Sequence, residues 1–104
     1  YEVIRMTLLV KNYIDGDTAV SYDDGKKCYR DILKILDNGD NVILDFDGID
    51  YVITAFLNPI IGDLILQKGI SVMKSINIIN ANQKTIDKIK MVKDGALLKR
   101  EDIE

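Results

Sequence analysis

Apolar positions along the chain follow two periods, one suited to strands and one to helices. Between residues 3 and 14, Val3, Ile4, Met6, Leu8, Leu9, Val10 and Ile14 form a β-leaning stretch that stops at Asp15-Gly16-Asp17, the pattern of a strand and a turn. Residues 19–22 suit a short second strand. Asp23 or Asp24 offers a cap for a helix through Asn38, because Cys28, Ile32, Ile35 and Leu36 recur at helical spacing and Gly39 supplies a stop. Val42-Ile43-Leu44 lies inside a compact apolar run from Asn41 to Phe46, which predicts a strand at the centre of a sheet, buried on both faces.

After a loop through Gly48 and Asp50, Phe56, Ile60, Leu64 and Ile65 share one face of a second helix over 55–68, closed by Gly69. Either Thr54 caps it early and Pro59 lies inside near a kink, or Asn58 caps it and Pro59 takes the favoured first position. Residues 75–79 form a further strand. Asn82 caps a third helix in which Ile86, Ile89 and Val92 pack while Lys84, Lys88, Lys90 and Lys93 face water. Gly95 is its expected end, and residues 97–104 form a polar tail, either a last helical turn or disordered. The order of elements predicts a single α/β domain over 1–104, with helices packed on a partly parallel sheet.

Composition narrows the chemistry. A chain of 104 residues with 47% apolar side chains holds one core and no second domain. Fourteen Lys and Arg against 17 Asp and Glu give a net charge of −3, which argues against nucleic acid or an anionic membrane as the default partner. Cys28 is the only cysteine and histidine is absent, so an intramolecular disulfide, a Cys/His zinc site and His-activated nucleophiles are all excluded. No apolar run approaches the ~20 residues of a membrane span, and the first residues lack the layout of a signal peptide. A cytoplasmic location is therefore expected. Tyr at position 1 fits a chain that is processed, cropped or part of something longer.

The sharpest catalytic candidate is the pair Asp45 and Asp47 in Val42-Ile-Leu-Asp-Phe-Asp-Gly48, which resembles the nucleophile motif of haloacid dehalogenase-type phosphatases. Such a site uses magnesium. Ile49 replaces that family's Thr, however, and no acidic cluster follows Gly69 to complete the metal site. A small-molecule or nucleotide site at the same carboxylates is the alternative to a binding role. A calcium loop through Asp45, Asp47 and Asp50 fails because its Gly falls two positions early and Phe56 stands where a bidentate Glu belongs. No phosphate-binding glycine motif occurs, no cofactor is implied, and Cys28 reads as a small buried apolar residue. Charge is uneven: residues 35–67 hold six Asp with no Lys or Arg, whereas residues 84–100 hold six basic residues with Asp87 and Asp94. That polarity can orient a partner or drive self-association into a homo-oligomer.

From Asp24-Gly25 to Asp94-Gly95 the chain resembles the STAS-like family of unknown function, relatives of the STAS domain (sulfate transporter and anti-sigma factor antagonist). The matching pieces are Val42-Ile-Leu-Asp-Phe-Asp-Gly-Ile49, Thr54-Ala-Phe-Leu-Asn58, Ile61-Gly-Asp-Leu64 and Ile76-Asn-Ile-Ile-Asn80, in that order and spacing. The resemblance implies a mixed sheet of four or five strands with helices packed on it, and regulatory protein binding rather than catalysis. It also favours the early helix start. In the anti-sigma factor antagonists a Ser or Thr at the start of the helix after the central strand is phosphorylated by a kinase partner, and Thr54 takes that place here. The resemblance thus implies a protein partner such as a GHKL-type ATPase kinase, meeting Asp47, Asp50, Thr54 and Asn58.

Overall fold

The computed structural model describes residues 3–103. In chain order these form β1 (Arg5–Leu9), a 3-10 turn (Val10–Tyr13), β2 (Thr18–Ala19), α1 (Tyr22–Asp37), β3 (Asn41–Asp45) and β4 (Tyr51–Val52). There follow α2 (Thr54–Leu57), a π-helical segment (Asn58–Asp63), α3 (Leu64–Lys68), a second 3-10 stretch (Ile70–Ser75), β5 (Ile76–Ile79) and α4 (Gln83–Ile103). The α/β class is as the apolar periods predict, but the strands divide between two small sheets instead of forming one mixed sheet of four or five. One sheet has the order β1-β3-β5, the other pairs β2 with β4, and every pairing is parallel. β4 went unrecognised in the sequence because two residues carry no period.

Strand β3 is central, with Leu44 opposite Leu8 of β1 and Ile78 of β5. It is not buried on both faces as expected. Val42, Leu44 and Phe46 are fully buried while Asn41, Ile43 and Asp45 are half-buried, so one face alone is packed. Topology gives the reason. Two right-handed crossovers that step the same way, β1 to β3 and β3 to β5, return their helices to the same side of the sheet. On that side Ile32 of α1 meets a cluster that includes Phe56, Leu57, Ile60, Ile61, Leu64 and Ile65. Burying each such side chain contributes about 1.5–3 kcal/mol, which lets short elements stay folded.

The helix ends show where local signals suffice. α1 stops as expected: Gly39 at φ 87° sends its N–H to Leu36 O at 3.0 Å, and the Asp40 N–H reaches Ile35 O at 3.1 Å, a Schellman motif. Its start is capped by Ser21 rather than Asp23 or Asp24, with the Asp24 N–H donating to Ser21 Oγ at 3.3 Å. The two aspartates instead occupy the first turn, where negative charge suits the helix dipole. Neither expected cap serves α2. Ile53 holds the cap position without a side-chain hydrogen bond, and Thr54 is already the first helical residue. Pro59 lies inside, where its missing N–H and its ring would disturb an α-turn, and the backbone widens into the π segment around it. α4 is capped as expected, the Thr85 N–H donating to Asn82 Oδ1 at 2.9 Å, but it runs through Gly95 to Ile103. The good helix formers Ala96, Leu97, Leu98 and Lys99 outweigh one glycine. The expected tail over 97–103 is therefore helical, and residue 104 lies outside the described residues.

α1 and α2 approach so closely that Gly25 is required between them. A Cβ there would fall 2.8 Å from Pro59 Cγ and closer still to the carbonyl oxygen of Phe56. Gly25→Ala is expected to destabilise the domain by about 3 kcal/mol despite alanine's better helix propensity, read as a lower urea midpoint at unchanged slope.

Candidate functional site

Sheet and helices bring the predicted residues to two neighbouring features: the loop leaving β3, and a groove between the 54–66 segment and α4. In the loop, Asp45 Oδ1 accepts two hydrogen bonds, from the Asp47 N–H at 2.9 Å and from Asn80 Nδ2 at 2.9 Å. Asn80 sits at φ 59°, a left-handed position that Asn tolerates better than most residues. Further along, Asn82 Nδ2 donates to the Asp50 carbonyl at 3.2 Å. Lys88 donates to the Val52 carbonyl at 2.6 Å and lies 4.1 Å from the Tyr51 ring centroid. Lys88 is thus half-buried and engaged, rather than facing water as its place on a charged helix suggests.

These bonds tie the loop to the junction between β5 and α4. Asp45 acts as an acceptor that shapes the turn, while Asp47 and Asp50 stay exposed. Among the described residues, no group of three or more acidic or cysteine side chains is placed to hold a metal ion, so Asp45, Asp47 and Asp50 do not assemble the ligand set of a magnesium or calcium site. Asn80, Asn82 and Lys88 are the contributors that sequence reasoning missed. Only the amide-rich link between strand and helix hinted at the first two.

The groove has a volume of about 450 Å³, within the range of ligand sites. Thr54 and Asn58, one helical turn apart, line one side with Asp63, while Met91, Gly95 and Lys99 of α4 line the other. Thr54 is half-buried and Asn58 exposed. Asp47 and Asp50 are absent from the lining and belong to the loop alone. The structure therefore groups the four predicted contact residues as two pairs on successive segments.

Cys28 is fully buried in α1, as expected of a packing residue. Burial, helped by the Asp31 charge, pushes its thiol up to about 12. Burial likewise raises the Tyr13 phenol, assisted by its hydrogen bond to Asp31 at 2.6 Å. Tyr29, whose hydroxyl donates to Gln67, is also raised by burial. Among the described residues no helix is long and apolar enough to cross a membrane.

A family model described as a STAS-like domain of unknown function matches residues 24–85, from the first turn of α1 to the first turn of α4. No curated protein matches the chain, and no solved structure does.

Two outcomes follow from this geometry. Asp45→Ala removes the acceptor shared by the Asp47 N–H and Asn80, and is expected to lower stability by about 1 kcal/mol, measured by chemical denaturation. The second concerns pH. A thiol raised in the folded state stabilises it fully below the ordinary value of 9.0, and that contribution is lost as pH climbs toward about 12. Unfolding free energy is therefore expected to fall across that window, more steeply in the wild type than in Cys28→Ala, and native Cys28 to resist thiol reagents until urea unfolds the chain.

Proposed function

We propose that this chain, which belongs to the STAS-like domain family of unknown function, is a regulatory protein-interaction module similar to an anti-sigma factor antagonist. It performs no catalytic step of its own and binds no cofactor in this reading. The observation that carries it is the placement of Thr54. It is the first helical residue after the tethered loop, half-buried at the mouth of a groove, with Asn58 exposed one turn on and Asp47 and Asp50 exposed just before it. A partner meeting this face reads a pre-shaped loop and a hydroxyl together.

Phosphorylation of Thr54 would switch that face. A phosphate adds nearly two negative charges and three strong acceptor oxygens at a helix start, where the backbone dipole favours them. Asp63 lines the same groove, so added charge would repel an acidic partner surface. A kinase of the GHKL ATPase type fits as the partner, and a cytoplasmic location belongs to the same proposal, since such a kinase needs ATP. The alternative phosphatase-like reading is less favoured, because Asp45 Oδ1 is already engaged by two donors.

Copurification from the native host supplies the partner, and calorimetry measures its affinity. Thr54→Glu is expected to weaken the complex about tenfold or more, equal to ~1.4 kcal/mol, while Thr54→Ala stays near wild type but no longer responds to ATP. Absence of any partner, or equal affinity for Thr54→Glu and wild type, would overturn the proposal.

A further inference from the structure

We infer that a cleft at the amino-terminal end of the β1-β3-β5 sheet, on its helix-free face, binds the phosphate group of a small phosphorylated molecule. The pairing register builds it. Arg5 stands opposite Asn41, and Ile43, two residues further along β3, stands opposite Asn77, so all four share the face that no helix covers. Lys74 and Ser75 complete the cleft from the 3-10 stretch that leads into β5. Its volume is about 450 Å³, within the range of small-molecule sites and larger than a bare oxyanion requires.

The charge lining this cleft has one sign. Arg5 and Lys74 are both exposed, neither makes an ion pair among the described residues, and no carboxylate lines the cleft. In a chain with 17 acidic and 14 basic residues, that separation is not the average surface. The carboxylates of the adjoining turn are committed elsewhere: Asp37 pairs with Lys68 at 2.9 Å, and Asp40, which lines a neighbouring cleft, accepts from Asn38 Nδ2 at 3.1 Å. A charge on an edge strand is common by itself, as protection against edge-to-edge pairing. Convergence sets this place apart. The side chains of Asn41, Ser75 and Asn77 also make no hydrogen bond among the described residues, whereas at the other end of the same strands Asp45, Asn80, Asn82 and Lys88 are all engaged. Two cations and three neutral donors thus face one space.

That donor set suits phosphate better than carboxylate. A phosphate monoester brings three terminal oxygens and nearly two charges, enough for a guanidinium fork, an ammonium and the neutral donors together, while a carboxylate brings two oxygens and one charge. Ile43, half-buried in the cleft, offers the organic part of an ester an apolar contact. The inference is independent of the proposed function, whose residues follow the opposite end of β3.

NMR of the 15N-labelled chain with ribose 5-phosphate, inorganic phosphate and ribose tests it. Ribose 5-phosphate is expected to bind saturably below about 1 mM and to shift the amides of residues 41–43 and 74–77. Inorganic phosphate is expected to shift the same amides with about tenfold weaker affinity, and ribose to shift none. Arg5→Gln and Lys74→Gln should each weaken binding at least about tenfold with unchanged circular dichroism, because both side chains are exposed, while Lys74→Arg retains it. No saturation at ~10 mM ribose 5-phosphate, shifts confined to the lysine-bearing turns of α4, or binding that survives both Gln variants would overturn the inference. Inorganic phosphate binding as tightly as the ester would overturn the organic molecule as its ligand.

Discussion

Strand β3 is hydrogen-bonded along both edges, to β1 on one side and β5 on the other, and this double pairing constrains everything attached to it. Each neighbour is parallel, so the chain must cross from one end of the sheet to the other between strands, and the crossovers must be right-handed. α1 and the α2–π–α3 segment therefore share one side, where Val42, Leu44 and Phe46 provide their common floor. The same geometry leaves Ile43 half-buried on the other side. It also delivers the ends of β3 and β5 together, which is why Asp45 and Asn80, 35 residues apart, are close enough to bond.

That meeting of strand ends makes a stiff loop out of residues that have little regular structure of their own. The loop between β3 and β4 is held by its own Asp45 turn, by Asn82 from the α4 cap and by Lys88 from the first turns of α4. The short β2–β4 pair extends the same suture, with Val52 opposite Ala19. α2 therefore starts in a defined place even though Ile53 gives it no side-chain cap. Backbone groups tied by distant side chains replace the local capping that Thr54 or Asn58 was expected to provide. Thr54 is consequently free of a capping duty.

The walls of the groove carry one departure from ideal helix geometry and one from helix-favouring sequence. The π segment forms around Pro59, and Gly95 interrupts an otherwise favourable helix sequence. π-bulges recur at functional sites, and departures from local preference cluster where a protein binds something. Here they flank one groove that also contains Thr54, Asn58 and Lys99. Met91 of α4 and the Thr54 hydroxyl on the facing wall thus border the same groove.

The order and type of most elements were legible in the residues, because a period of two or 3.6 and a terminal signal such as Gly39 or Asn82 depend only on neighbours a few positions away. The pieces from Val42 to Asn80, read together, also pointed to the STAS-like family. What tertiary structure alone decided lies at longer range. Lys88 looks like one of several solvated lysines until Val52, 36 residues earlier, is brought beneath it. Thr54 looks like a cap until the fold sets Ile53 at the cap position and Thr54 inside the helix, and Gly95 looks like a stop until α4 runs on through it. β3 looks buried on both faces because Val42, Ile43 and Leu44 are apolar in succession, whereas the handedness of two crossovers leaves one face without a helix. Local periods are set by covalent spacing, but partners and exposed faces are set by which distant segments the topology brings together.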